Sequence, residues 1–88
     1  MKVYCRNKNI IDGSIDDNQV MMHIEKGKYF GLNPVGKRIW ELIEKPKSLE
    51  EIVGQLTEEY NVPEGQCAKE VVTFLEMAIR HDIVKIDE

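Results

Sequence analysis

Two periods divide the chain. As far as Leu32 the apolar residues come in short runs and alternations, and from Pro34 onward they recur every three or four positions. Val3 to Cys5 and Ile10 to Ile15 read as short strands, with the polar cluster Asp16-Asp17-Asn18 as the turn that follows. From Gln19 the alternation sharpens, placing Val20, Met22 and Ile24 on one face and Met21, His23 and Glu25 on the other. Lys26-Gly27 makes a tight connection, Gly27 being able to take a positive φ, and Lys28 to Leu32 returns as the antiparallel partner. Gly31 stands inside that second strand, where a missing side chain marks a bulge, a close backbone approach, or room for a helix packed behind.

The helical period opens at Asn33, a capping residue, followed by Pro34, which is pre-set for a first helical position. A first helix is predicted from Pro34 to about Glu44, with Val35, Ile39, Leu42 and Ile43 near one face and Trp40 at its margin. Lys45-Pro46-Lys47 ends it. Ser48 and Glu51 have the spacing of a capping box, opening a second helix that buries Leu49, Ile52, Val53, Leu56 and Tyr60 before Asn61 and Pro63 close it. The third and longest helix runs from Pro63 or Glu64 to about Arg80. Cys67, Val71, Phe74, Leu75 and Ala78 centre its apolar stripe, and Ala68, Val72 and Ile79 widen it to one side. So wide a stripe fits a helix wedged between two neighbours or one whose flank lines a groove. Ile83 to Ile86 adds a last strand or an extended tail.

Composition narrows this picture. At 88 residues and 42% hydrophobic the chain fits one domain, residues 1–88, with one modest core. No apolar run approaches the roughly 20 residues that span a bilayer, and the N-terminus lacks the apolar segment of a secretion signal. A cytoplasmic protein with no membrane partner is expected. Cys5 and Cys67 stand in no Cys-x-x-Cys pair and read as buried or tolerated thiols. His23 and His81 have no third ligand at usable spacing, so they read as solvated or capping histidines, His81 complementing a helix dipole. Asp12, Asp16 and Asp17 lack the glycine and terminal glutamate of a calcium loop, and the glycines are too scattered for a phosphate loop. With no nucleophile and base, no paired carboxylates and no metal set, neither catalysis nor a cofactor or metal is expected.

Three helices with a small sheet raise the possibility of a DNA-binding winged helix. The net charge of −4 argues against it. The third helix carries Lys69 and Arg80, but Glu64, Glu70 and Glu76 stand beside them. A structural or dimerising module built on the same strand edge is another alternative.

The stretch Lys28-Tyr29-Phe30-Gly31-Leu32-Asn33-Pro34-Val35-Gly36, followed by Ile39-Trp40-Glu41-Leu42, resembles the PqqD-like family of leader-peptide-binding domains. Ser48 to Val53, Tyr60, and Val71 to Leu75 resemble its second and third helices, extending the likeness to about residues 9 to 86. The resemblance implies an α+β winged helix-turn-helix, a three-stranded antiparallel sheet on three helices, that recognises peptides without catalysis. Such proteins, RiPP recognition elements, bind the leader segment of a ribosomally made precursor in the cleft between the third strand of the sheet and the third helix. Stand-alone members act in lasso-peptide pathways with a leader peptidase and a macrolactam cyclase, or as peptide chaperones of pyrroloquinoline quinone synthesis. Tyr29-Phe30 and the Lys28 to Trp40 segment look more like the lasso-pathway members. The site expected on this basis comprises Lys28, Tyr29, Phe30, Gly31 and Leu32 of the strand and Ala68, Lys69, Val72, Leu75, Glu76 and Ile79 of the third helix. The strand would add a peptide through backbone hydrogen bonds, the apolar flank would receive its side chains, and Lys69 and Glu76 would form a polar rim. An open strand edge also permits a weak homodimer.

Overall fold

In the computed structural model, which describes residues 2–16 and 18–87, extended chain gives way to helix at Asn33. Strands β1 (Val3–Arg6), β2 (Ile10–Ile15), β3 (Asn18–His23) and β4 (Lys28–Gly31) precede helices α1 (Pro34–Leu42), α2 (Leu49–Tyr60) and α3 (Glu64–Arg80), and β5 (Val84–Asp87) follows. Strands β2, β3 and β4 form a three-stranded antiparallel sheet in that order, with β4 at an edge. The α+β winged helix-turn-helix architecture is thus the one that the resemblance implies. A second, two-stranded ribbon pairs β1 with β5 from Val3 opposite Asp87 to Arg6 opposite Val84. The chain's first and last strands therefore stabilise one another, a pairing between distant segments that no local pattern encodes.

Local chemistry sets the boundaries. Gly27 turns the β3–β4 hairpin at φ 63°, and its N–H donates to the His23 carbonyl at 2.8 Å. Asp16, at φ 51°, begins the preceding turn; Asn18 already belongs to β3, and Asp17 lies outside the described residues. Asn33 caps α1, its Oδ1 accepting from Gly36 N at 2.6 Å with Pro34 in the first turn. In the capping box of α2, Ser48 Oγ accepts from Glu51 N at 3.2 Å and Glu51 Oε1 from Ser48 N at 2.9 Å. The Ser48 N–H donated to it, with a smaller contribution from the Ser48 side chain, holds the Glu51 carboxyl below its ordinary pKa. Asn61 ends α2 in the left-handed conformation that asparagine tolerates.

The core lies where the helices meet the sheet and the ribbon: Ile39, Trp40 and Ile43 from α1, Ile52, Val53 and Leu56 from α2, Cys67, Val71, Leu75 and Ala78 from α3, then Met21, Ile83 and Val84. Three expectations need correction. Trp40 is not marginal but 2% exposed, because β1 lies over it. Arg6 donates to the Trp40 carbonyl from Nε at 3.0 Å and Nη2 at 2.6 Å, with its guanidinium 4.4 Å from the indole centroid. Tyr60 is exposed rather than buried, since it occupies the last turn of α2, beyond the Ile52–Val53–Leu56 row. His23 is not solvated but fully buried, its Nε2 3.1 Å from Asp82 Oδ2. Of the two faces of β3, the one turned inward carries Met21 and His23, and Ile24 beyond the strand is exposed.

Helices α1 and α2 are also tied by a fork. Arg38 Nε and Nη2 donate to Glu59 Oε1 and Oε2 at 2.8 and 2.7 Å, and Gln55 Nε2 adds a third bond to Glu59 at 2.8 Å. These contacts, Arg38 foremost, pull the Glu59 pKa from 4.5 to about 2. A carboxyl depressed in the folded state stabilises it above the unfolded pKa, and that contribution fades as pH falls from about 4.5 to about 2. The pair is largely open to solvent, so the effect is modest and salt-sensitive. Urea midpoints measured between pH 5 and pH 2 should fall less steeply for Glu59→Gln than for the wild type, and parallel curves would contradict this assignment.

Candidate functional site: the groove between β4 and α3

Strand β4 has β3 on one side and, among the described residues, no strand on the other. Its pairing with β3 runs without a bulge from His23 opposite Lys28 to Val20 opposite Gly31. A Cβ at Gly31 would meet nothing within 4 Å, so neither a bulge nor a helix behind explains this glycine; the space beside it is open. Tyr29, 63% exposed, stands on the outer face of the sheet across from Met22. Phe30 points the other way and is half-buried, its ring centroid 5.0 Å from that of His81 at the end of α3.

Beyond the end of β4 a cavity of about 470 Å³ opens between the start of α1 and one flank of α3. Val35, Phe74 and Met77 supply its apolar surface, and Asn33, Lys69, Glu70 and Thr73 its polar groups. The approach of α1 to α3 here depends on Gly36, where an added Cβ would lie 2.9 Å from Phe74 Cε1. An unpaired strand edge thus runs towards an apolar hollow with a mixed-charge rim. Such a place can take an extended peptide, with backbone hydrogen bonds along the edge and side chains in the hollow.

The structure places the expected residues unevenly. Lys28, Tyr29, Phe30 and Gly31 form the edge strand and half-buried Leu32 continues it. Lys69 lines the cavity. Leu75, at 2% exposure, is a core residue and presents no surface to a ligand. Ala68, Val72 and Ile79 are half-buried, but at about 3.6 residues per turn they fall on the opposite flank of the Cys67–Val71–Leu75–Ala78 row from Phe74 and Met77. The structure does not bring them to the cavity, and exposed Glu76 lies on the outward side between the two flanks. The stripe is apolar on both flanks, so its width is visible in sequence, but which flank turns towards β4 depends on how the sheet sits. Asn33, Val35, Glu70, Thr73, Phe74 and Met77, which the sequence does not single out for the site, line the cavity. The available signal was the Leu-Asn-Pro turn, which must lie at the end of β4 and so selects the flank beside it.

Two further groups bear on chemistry. Burial, then the charges of Glu70 and Glu64, pushes the Cys67 thiol pKa up, so it is a poor nucleophile. The His23 hydrogen bond holds the Asp82 carboxyl below its ordinary range. Among the described residues no three His, Cys, Asp or Glu side chains are placed to hold a metal ion, and no helix is long and apolar enough to cross a membrane.

Comparison with known proteins agrees with this geometry. The solved structure "TbiB1 in Complex with the TbiA(beta) Leader Peptide" is 33% identical to this chain, covering 92% of it and 94% of TbiB1, with a TM-score of 0.81. "Lasso peptide synthetase B1 complexed with the leader peptide" shares the fold at a TM-score of 0.80 and 17% identity, over 93% of this chain and 96% of its own. No curated protein matches. The family described as "Coenzyme PQQ synthesis protein D (PqqD)" matches residues 18–84. That span holds the β3–β4 hairpin, the turn at Asn33 and all three helices, and the chain accordingly belongs to the PqqD family, with the architecture of a PqqD-like recognition element.

Proposed function

We propose that this protein is a non-catalytic recognition element that binds the leader segment of a ribosomally synthesised precursor peptide. The leader adds as a strand to the free edge of β4, runs along the Phe74–Met77 flank of α3, and is thereby delivered to a leader peptidase and a macrolactam cyclase. The observation that carries this reading is the unpaired β4 edge beside an apolar hollow, in a chain one third identical to a protein solved with a leader peptide. Backbone pairing supplies affinity with little demand on sequence, while the hollow selects side chains. A lasso peptide, rather than pyrroloquinoline quinone, is the favoured product class, on the resemblance of the Lys28 to Trp40 segment to the lasso-pathway members. Cytoplasmic action follows from this role, because ribosomally made precursors are modified where they are made.

A labelled leader from a precursor gene beside this one should bind with a Kd below about 1 μM, roughly 8 kcal/mol. Failure to bind any neighbouring leader, or tight salt-dependent binding to duplex DNA instead, would overturn the reading.

A further inference from the structure

The two walls of the groove belong to different parts of the fold, β4 to the three-stranded sheet and α3 to the helices, and something must hold them in register. His23 stands where they join. It is fully buried on β3, opposite Lys28 of β4. Its Nδ1 accepts from Lys26 N at 3.3 Å, which assigns the ring proton to Nε2 and makes that nitrogen the donor to Asp82 Oδ2 at 3.1 Å.

Asp82 is fixed independently. It follows the α3 C-cap residue His81, its N–H donates to the Ile79 carbonyl at 3.0 Å, and its own carbonyl accepts from Asn7 Nδ2 at 2.6 Å. Its φ is 60°, a left-handed conformation that glycine adopts with less strain than any residue bearing a Cβ. The backbone alone therefore favours glycine at this position. What aspartate adds is the carboxylate that receives His23. Next to it, His81 packs on Phe30 of β4, so the hydrogen bond and the ring contact close the same end of the groove.

We propose that the His23–Asp82 hydrogen bond is a latch that holds β4 at a set distance and register from α3, so that the groove is formed before the peptide arrives. His23 and Asp82 are positioning residues that need not touch the ligand. The inference rests on the leader-binding reading. Without the latch, the peptide must itself order β4 against α3, and affinity falls by the fraction of molecules in the competent arrangement.

The experiment compares leader affinity and melting temperature for the wild type, Asp82→Gly, Asp82→Asn and His23→Leu. Asp82→Gly relieves the backbone but leaves the buried His23 Nε2–H without its acceptor, and because the two effects oppose one another it should melt near the wild-type temperature yet bind the leader about tenfold more weakly. Asp82→Asn keeps an acceptor oxygen and tolerance of positive φ, and should stay within about threefold of wild type. His23→Leu fills the buried volume without a donor and should match the Asp82→Gly loss. Stability and affinity moving apart in Asp82→Gly, with rescue in Asp82→Asn, is a result that a merely structural contact would not give. Wild-type affinity in both Asp82→Gly and His23→Leu overturns the latch, as does a loss of affinity that only tracks melting temperature across the series. A wild type that binds no leader fails the recognition reading instead.

Discussion

Gly36→Leu is expected to destabilise the protein by about 2–3 kcal/mol, an overpacking cost, and to weaken leader binding at the same time. The reason lies in how closely the first turn of α1 meets α3. A Cβ at position 36 would stand 2.9 Å from Phe74 Cε1, 3.1 Å from Phe74 Cδ1 and 3.1 Å from the capping oxygen of Asn33. A leucine must therefore displace the ring, the cap, or both. The cap satisfies the otherwise unpaired Gly36 N–H, and its loss alone costs about 1 kcal/mol. The ring is one wall of the hollow, which couples the packing defect to the site. Gly36→Ala is the informative intermediate. Replacing a helical glycine with alanine gains about 1 kcal/mol, and displacing the ring by a few tenths of an ångström takes back a comparable amount. Urea unfolding at constant m-value reads both variants; a Gly36→Leu protein as stable as wild type would show that α1 and α3 are not held at this separation.

The second large effect concerns the peptide. Thr73→Arg and Met77→Lys should each weaken leader binding at least about tenfold, or 1.4 kcal/mol, with little change in stability. Thr73 is exposed and Met77 half-buried, both on the cavity wall of α3. Arginine and lysine are good helix formers whose stems lie along apolar surface while the charge stays in water. The fold should accept them, whereas a peptide side chain entering the hollow would meet a filled space and an unpaired charge. Val72→Lys provides the contrast, since position 72 lies on the other flank of α3, and its affinity should remain within about threefold of wild type. Calorimetric titration of the three variants with one leader decides the matter. The opposite ranking, Val72→Lys weakest and Thr73→Arg unchanged, would put the peptide on the Ala68–Val72–Ile79 flank and displace the groove proposed above.

That choice of flank shows where sequence reading stops. The capping residues Asn33 and Ser48, the turn at Gly27 and the end of α2 at Asn61 were all legible, because each depends on chemistry within four residues of itself. The strand edge was legible too, since Lys28 to Leu32 follows a tight hairpin and precedes a capped helix. Three placements were not: Trp40 beneath Arg6, His23 against Asp82, and β1 beside β5. Each joins residues more than thirty positions apart, and side-chain polarity alone misleads at two of them. A histidine looks solvated until a carboxylate reaches it, and a tryptophan at the edge of a stripe looks marginal until a strand covers it.

By itself, then, the sequence determined the order of elements, their ends, and the switch from a period of two to one of 3.6 at the Leu32-Asn33-Pro34 junction, because propensity, capping and alternation act locally. It also determined that α3 would carry more apolar surface than one contact needs. The tertiary structure alone decided which face of β3 turned inward and which flank of α3 met the end of β4. Both follow from the placement of sheet on helices, where Met21 and His23 are buried, Phe30 packs on His81 and His23 meets Asp82. A helix with two apolar flanks is degenerate in sequence, and only the geometry of its neighbours leaves one of them beside the open strand.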